Sequence, residues 1–215
     1  MAQIATRVVL AEDNDTVRKG IRSLLDKSED IHVIGEAKNG VEALRLVQEM
    51  QPDILLLDVE MPLLNGIDVA LQLKKGHVKT RVLVLSAYDD RQYIQEMLSN
   101  GASGYLLKTS AASELSKAIL RAVRGLKYVT PSMQRGLDEL FIEDPRGEPK
   151  RPALSARQRE VLQLLAEGRP MKQVADILHL ATRTIAYHKY KMMADLRLKS
   201  TAELIQYAVK TKLVS

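Results

Sequence analysis

Short apolar runs alternate with segments of helical periodicity through the first 125 residues. The runs predict five strands, at 7–11, 32–37, 54–58, 81–86 and 103–107. Between them apolar residues recur at helical spacing, as at Val17, Ile21 and Leu25, and a fourth helix is expected from about Asp90 to Asn100. The run 54–58 shows no polar alternation, which is typical of a central strand buried on both faces. The pattern predicts an α/β domain, with a five-stranded, parallel, flavodoxin-like sheet in the order 2-1-3-4-5 and helices on both faces.

The pattern changes after residue 125. Residues 126–152 predict a linker with a short helix at 131–140, because the stretch 143–152 is dominated by prolines and charges. Residues 153–215 show only helical periodicity and predict an all-α domain of four short helices, the first capped by Ser155. The second and third helices, at 171–179 and 182–197, are joined by the tight turn 179–181. This arrangement predicts a helix-turn-helix.

Composition and charge narrow the function. The absence of cysteine excludes disulfides and thiolate chemistry. Neither a signal peptide nor an apolar stretch long enough to span a bilayer is evident, so we expect a cytoplasmic protein that does not bind membranes. Residues 1–130 carry 17 basic and 17 acidic side chains, whereas residues 151–215 carry 12 and 5, a net charge of +7. This basic part is expected to bind DNA, although a solvated basic surface gives the same balance.

Three carboxylates are expected at one edge of the predicted sheet. Glu12 and Asp13 follow the first strand and Asp58 ends the third, and strand order reverses between these two strands. Clustered carboxylates repel one another, and Mg²⁺ bound between them would remove this repulsion. The alternative interpretation is that these residues are three solvated loop acids without a ligand. Ser86 ends the fourth strand and Lys108 follows the fifth. A carboxylate nucleophile, a metal, a hydroxyl and an ammonium are the groups that form and hold an aspartyl phosphate, here on Asp58.

These residues belong to a motif set that resembles the receiver domain of two-component systems over residues 5–125. The matching residues are Glu12-Asp13, Asp58 followed by Met61-Pro62 and Asn65-Gly66, Ser86-Ala87, and Tyr105 three residues before Lys108. One departure is Thr109, which stands where many receivers have proline.

The resemblance implies a function for each part of this site. A sensor histidine kinase phosphorylates Asp58, and the Mg²⁺ ligands are Glu12, Asp13, Asp58 and the backbone carbonyl of Glu60. The residues that bind the phosphoryl group or respond to it are Ser86, Ala87, Tyr105 and Lys108. Among these, Ser86 moves toward the phosphoryl group and Tyr105 turns inward.

The C-terminal helices resemble the LuxR-type DNA-binding domain. The matching residues are Leu154-Ser155, Arg159-Glu160-Val161-Leu162, Leu165-Ala166, Gly168, Lys172-Gln173-Val174-Ala175, Leu178, Thr184-Ile185, His188 and Leu196. The whole chain therefore resembles a response regulator of the NarL/FixJ subfamily. The resemblance implies a homodimer when phosphorylated, which binds DNA at paired half-sites, with RNA polymerase as a further partner.

Helical spacing divides the third helix of this domain into two faces. Ile185, Met192 and Leu196 form the inward stripe, and His188 beside it is expected to be packed rather than to contact bases. The residues expected to contact DNA are Lys172, Thr182, Arg183, Thr184, Ala186, Tyr187, Tyr190 and Lys191. The family usually has lysine at Ala186, serine at Ala181 and Ser-Asn at Pro170-Met171, so phosphate contacts and a helix cap are lost here.

Two other functions remain open from the sequence. Some phosphohydrolases use an aspartate nucleophile with a hydroxyl and a lysine, but they carry it on the first strand, with a second aspartate two residues later. Here the nucleophile is on the third strand and Glu60 follows at that spacing, so we expect no enzyme. A DNA-binding protein that works without phosphorylation is the other alternative, and the complete set of acids, hydroxyl and lysine argues against it.

Overall fold

The computed structural model describes residues 5–87, 94, 97–134, 154–211 and 213–214. The chain divides into two compact units, Met1–Asp144 and Pro145–Ser215. Residues 135–152 of the linker predicted at 126–152, including most of its short helix at 131–140, lie outside the described residues. Most of the helix predicted at 90–100 also lies outside them; Ile94 and residues 97–99 are described, and they are helical. None of the described helices combines the length and the apolar character needed to cross a membrane.

A parallel sheet forms the centre of the first unit. Within the described residues it has six strands in the order β2-β1-β3-β4-β5-β6. The strands are β1 (Thr6–Ala11), β2 (Ile31–Ala37), β3 (Ile54–Asp58), β4 (Arg81–Ser86), β5 (Gly104–Leu107) and β6 (Tyr128–Val129). Besides the helical residues 94 and 97–99 and a 3-10 turn at Lys108–Ser110, the described residues of this unit form α1 (Asp15–Leu25), α2 (Gly40–Met50), α3 (Gly66–Lys75), α4 (Ala111–Val123) and the short α5 (Pro131–Gln134). The flavodoxin-like order predicted for the first five strands is confirmed.

The predicted number of five strands was wrong by one. β6 pairs with β5, with Tyr128 N donating to Ser103 O at 3.2 Å and Thr130 N donating to Tyr105 O at 3.1 Å. A strand of two residues is too short to show an alternating pattern, so periodicity had no means of detecting it. These two residues belong to the segment 126–152 for which the sequence predicted a linker.

The core of this unit lies on both faces of the sheet. On one face α2 and α3 pack on alternate strand residues that include Leu55 and Leu57, and on the other α1 and α4 pack on a set that includes Ile54 and Leu56. All five residues of β3 are buried, so the central position predicted for this strand is confirmed. Because β3 is fixed on both sides, the residue at its carboxyl end has little freedom to move.

The described residues of the second unit form four helices. They are α6 (Ala156–Ala166), α7 (Met171–Ile177), α8 (Thr182–Asp195) and α9 (Thr201–Lys210). Ser155 caps α6 in a capping box with Gln158, as the sequence predicted. The helices bury a common apolar core formed by Val161, Leu162, Leu164, Val174, Ile185, Met192, Leu204 and Ala208.

The third helix of this unit ends earlier than predicted. α8 stops at Asp195, with Leu196 as its C-cap, and Arg197 has a positive φ of 56°. Leu196 is consequently half-buried rather than part of the fully buried stripe with Ile185 and Met192. His179, in the turn between α7 and α8, also has a positive φ, of 52°. This left-handed residue reverses the chain and so produces the predicted helix-turn-helix.

Candidate phosphoacceptor site and nucleic-acid interface

Four neighbouring strands place the polar residues of the candidate site at one edge of the sheet. Glu12 follows β1, Asp58 ends β3, Ser86 ends β4 and Lys108 follows β5. The register aligns these ends, because Ala11 lies beside Leu57, Asp58 beside Leu85, and Ser86 beside Leu107. The convergence expected from strand order alone is therefore present in the structure.

The three carboxylates lie close together and differ in exposure. Each of Glu12, Asp13 and Asp58 offers an oxygen within 4.8 Å of the others. Glu12 is fully buried and Asp58 is 3% exposed, whereas Asp13 is exposed. One face of the cluster is thus embedded in the protein while Asp13 opens the other face to solvent. Two fixed ligands and one accessible ligand suit a cation that enters from water.

Lys108 bridges the two buried carboxylates. Its Nζ atom lies 2.8 Å from Glu12 Oε2 and 2.9 Å from Asp58 Oδ2. Burial opposes the charged form of Lys108, but the attraction of Asp58 and the hydrogen bonds to both carboxylates outweigh it and raise the pKa of this ammonium. Lys108 therefore stays protonated and supplies a fixed positive charge beside the candidate nucleophile.

Asp58 is the perturbed acid of the cluster. Burial raises its pKa to about 7, and Lys108 opposes this shift while the charges of Glu12 and Asp13 add to it. Any further positive charge near Asp58 would stabilise its ionised form. Three carboxylate oxygens at this spacing are the hard donors that Mg²⁺ prefers, so the residues present fit this ion.

The conformation of the loop after Asp58 requires a glycine at position 66. Gly66 N donates to Val59 O at 2.8 Å, and a Cβ at this position would lie 2.2 Å from the backbone oxygen of Asp58. Asn65 caps α3 by accepting a hydrogen bond from Asp68 N. The Asn65-Gly66 pair thus starts α3 and also lets it approach the end of β3 closely. Glu60, whose backbone carbonyl the family resemblance assigns to the metal, lies in this loop and is half-buried.

The residues that the resemblance links to the response to phosphorylation lie in β4 and β5 or directly after β4. Ser86 is 1% exposed and Ala87, directly after it, is exposed. Tyr105 is fully buried and belongs to the apolar core on the α2 and α3 face of the sheet. Thr130 was missed by the sequence analysis: it is buried, and its Oγ1 accepts a hydrogen bond from Leu107 N at 3.0 Å. No motif marks Thr130, because its role depends on a strand that the sequence did not reveal.

The residues predicted to contact DNA lie mainly on accessible surface. Ala186 and Thr184 are half-buried, whereas the exposed residues are Lys172, Thr182, Arg183, Tyr187, Tyr190 and Lys191. Tyr187 and Tyr190 are 63% and 60% exposed, which is unusual for large rings on a folded surface. α8 therefore presents an aromatic and basic surface to the solvent.

Neighbouring side chains hold part of this surface in place. Lys189 lies over the Tyr190 ring, 5.2 Å from its centroid, and the half-buried His188 packs edge-on against Tyr187. Lys191 Nζ lies 2.8 Å from Asp195 Oδ1, an ion pair that raises the pKa of the lysine. A phosphate that approaches Lys191 must compete with this aspartate. The i, i+4 spacing of the two residues is the sequence signal that would have revealed the pair.

Both halves of the chain match known families. The model of the response regulator receiver domain matches residues 8–120, and that of the luxR family of bacterial regulatory proteins matches residues 152–208. The chain belongs to the LuxR-type response regulators. This confirms the predicted family and its function as a two-component transcription regulator, a class that is not typically enzymatic.

Known proteins resemble this response regulator over one domain or over nearly its whole length. The oxygen regulatory protein NreC of Staphylococcus carnosus is 35% identical over 97% of this chain and 99% of its own. The receiver domain of the putative response regulator NarL of Mycobacterium tuberculosis is 38% identical, with a TM-score of 0.55 over 57% of this chain and 98% of its own. RcsB of Salmonella typhimurium is 25% identical, with a TM-score of 0.59 over 95% of this chain and 98% of its own. A related solved structure contains two RcsB dimers bound to two parallel DNAs.

Proposed function

We propose that Asp58 of this response regulator accepts a phosphoryl group from a sensor histidine kinase and that this modification controls DNA binding. The observation that carries the proposal is the position of Lys108, whose ammonium lies 2.9 Å from Asp58 and 2.8 Å from Glu12 in a cluster of three carboxylates. A buried acid beside a fixed cation and two further acids is an arrangement suited to phosphoryl transfer.

Four groups would hold Mg²⁺ at this site: the carboxylates of Glu12, Asp13 and Asp58 and the backbone carbonyl of Glu60. The bound ion supplies positive charge that offsets both the repulsion among the carboxylates and the charge of the phosphoryl oxygens. Asn14 N donates to Glu12 Oε1 at 3.2 Å, so the buried carboxylate of Glu12 is oriented by the backbone as well as by Lys108.

The proposed transfer forms one bond and breaks one. An ionised oxygen of Asp58 attacks the phosphorus of a phosphohistidine, the donor N–P bond breaks, and the leaving imidazole keeps the electron pair and binds a proton. Lys108 donates to the phosphoryl oxygens and the Ser86 hydroxyl donates to one of them. Because burial favours the protonated form of Asp58, the neighbouring positive charge is needed to keep the nucleophile ionised.

Phosphorylation would act on DNA binding through Ser86, Ala87 and Tyr105 and through formation of a homodimer. The RcsB dimers bound to DNA support this output. Lys172, Thr182 and the exposed residues of α8 would contact DNA, with Arg183 or Lys191 at a guanine or a phosphate and the tyrosine hydroxyls at phosphates. The regulator would act in the cytoplasm, with RNA polymerase as a further partner.

Incubation of the full-length protein with acetyl phosphate and Mg²⁺ tests the proposal. Intact mass should show one added phosphoryl group on the wild type and none on Asp58→Asn, and sedimentation should show that the phosphorylated protein dimerises. Asp53→Asn, an exposed acid beside the opposite end of the same strand, should be phosphorylated like the wild type. Labelling of Asp58→Asn, or a DNA footprint that is identical with and without the phosphodonor, contradicts the proposal.

A further inference from the structure

Arg18 is a buried arginine next to the acidic cluster, and the proposed reaction does not use it. It lies on the core-facing side of α1 with Ile21 and Leu25 and is only 5% exposed. Its neighbours on the same helix face are apolar, so the position is an unusual one for a guanidinium. A charge is retained at such a site only when its hydrogen bonds are satisfied.

The guanidinium bonds to the backbone that carries two of the clustered acids. Nη1 of Arg18 donates to Glu12 O at 2.8 Å and lies 3.4 Å from Asp13 O. Nη2 forms an ion pair with Asp15, and Nε donates to Glu36 Oε2 at 3.3 Å. A planar guanidinium has five donors in a fixed geometry, so one side chain can hold the loop, the start of α1 and the end of β2 together.

These contacts fix the backbone from which the carboxylates of Glu12 and Asp13 extend. Arg18 contacts the carbonyl oxygens of both residues, and its contacts with them do not involve their carboxylates. One oxygen of each carboxylate lies within 4.8 Å of an oxygen of Asp58, although the like charges repel one another. A fixed backbone at both residues limits how far this repulsion can move them apart before a cation binds.

We propose that Arg18 is a positioning residue that prearranges the loop 12–13 for Mg²⁺. The inference rests on the proposed function of the acidic cluster as a magnesium site. Arg18 would then be one of the residues that hold metal ligands in place without contacting the metal. Loss of such a residue typically weakens metal binding by about 10- to 100-fold.

A positioning role and a purely electrostatic role predict opposite changes in Mg²⁺ affinity. If Arg18 acted only through its positive charge, its removal would lower the repulsion felt by an incoming cation and would tighten Mg²⁺ binding. If it holds the loop, its removal releases the carbonyls of Glu12 and Asp13 and weakens binding. The sign of the change therefore separates the two roles.

Titration calorimetry of the full-length protein with Mg²⁺ measures this sign. The variants are Arg18→Met, which removes the donors, and Arg18→Lys, which keeps the charge but loses the planar set of donors. Arg22→Met is the matched control, because Arg22 lies one turn further along α1 and also pairs with Glu36 but has no contact with the loop carbonyls. Circular dichroism and thermal unfolding establish that each variant is folded.

We expect the Mg²⁺ dissociation constant to rise about tenfold in Arg18→Met and by less in Arg18→Lys, and to stay near the wild-type value in Arg22→Met. At saturating Mg²⁺ the rate of phosphorylation by acetyl phosphate should recover in both Arg18 variants. If Arg18→Met does not fold, Arg18→Lys distinguishes the two roles. Its net charge equals that of the wild type, so weaker Mg²⁺ binding in this variant reflects the lost donors.

The positioning role of Arg18 and the magnesium site itself are contradicted by different results. Folded Arg18 variants that bind Mg²⁺ as tightly as the wild type, or more tightly, overturn the positioning role and leave the proposed function intact. A wild-type protein that binds no Mg²⁺ overturns the magnesium site itself and with it the role of Arg18.

Discussion

At the scale of single residues, the pKa of Asp58 makes the stability of the metal-free protein depend on pH. The fold raises this pKa to about 7, above the ordinary value of 3.8, so the native state binds the proton more tightly than the unfolded chain does. The stabilisation is fully present below the ordinary value and is lost as pH rises through 7. Above that pH the ionised, buried carboxylate destabilises the native state.

Asp58→Asn should therefore be more stable than the wild type at pH 8 in the presence of EDTA, on the order of 2 kcal/mol, and this advantage should disappear toward pH 4. Thermal unfolding at several pH values measures the difference. An advantage that is the same at pH 4 and pH 8 contradicts the assigned titration, and Asp53→Asn is the control for loss of an acid at an exposed site.

A second residue-scale prediction concerns the close approach at Gly66. Gly66→Ala places a Cβ 2.2 Å from the Asp58 carbonyl oxygen, so the end of β3 or the start of α3 has to move. We expect a loss of about 2–4 kcal/mol in unfolding free energy and slower phosphorylation. Gly20→Ala is the matched control, because its Cβ would meet no atom within 4 Å inside α1, and it should stabilise the protein by about 0.5–1 kcal/mol. Wild-type phosphorylation in Gly66→Ala would contradict this account.

At the scale of helices and strands, α8 begins without a side-chain cap. Its N-cap residue is Ala181, and no side chain accepts a hydrogen bond from the first turn of the helix. Ala181→Ser supplies such an acceptor and should stabilise the second unit by about 1 kcal/mol, whereas Ser155→Ala at the capped start of α6 should destabilise it by a similar amount. Urea unfolding monitored by circular dichroism compares them, and Ala181→Ser without effect would show that another group already satisfies these amides.

The parts of the fold that could be predicted are those with a repeating signal. β3 was predicted from the apolar run 54–57, which has no polar alternation, and the α1 helix from the spacing of Val17, Ile21 and Leu25. The acidic site followed from topology, because parallel strands bring Asp58 and Lys108 to the same edge whatever the loops do.

The parts that could not be predicted are contacts between residues far apart in sequence. Arg18 gives no local sign that its guanidinium reaches the carbonyl of Glu12, and a basic residue on a helix is normally solvated. Thr130 becomes meaningful only once β6 is placed beside β5. Such roles depend on tertiary packing, about which periodicity and motif spacing carry no information.

At the scale of the whole molecule, charge is divided between the two halves of the sequence. Residues 1–130 are balanced, whereas residues 151–215 carry a net charge of +7. DNA binding should therefore weaken steeply with salt, because each phosphate contact releases counterions. Because the basic residues lie in the C-terminal half, this salt dependence of DNA affinity should be unchanged when Asp58 is substituted.

Arg183→Ala should weaken operator binding by about 1–3 kcal/mol if Arg183 contacts a guanine, or reduce the salt slope by about 1 if it contacts a phosphate. Gel-shift titrations at several salt concentrations distinguish the two contacts. Lys210→Ala, which removes an exposed positive charge from α9, is the matched control and should have a smaller effect. Operator affinity that is unchanged in Arg183→Ala would exclude this residue from the interface.

The sixth strand also bears on how the protein behaves when it is concentrated. A sheet edge with free amides and carbonyls invites the strands of other molecules to add to it, which leads to aggregation. β6 covers β5 along Gly104 and Tyr105 and is itself only two residues long, so this end of the sheet offers almost no template. Crowded copies of the regulator are thereby protected from joining sheet to sheet along this edge.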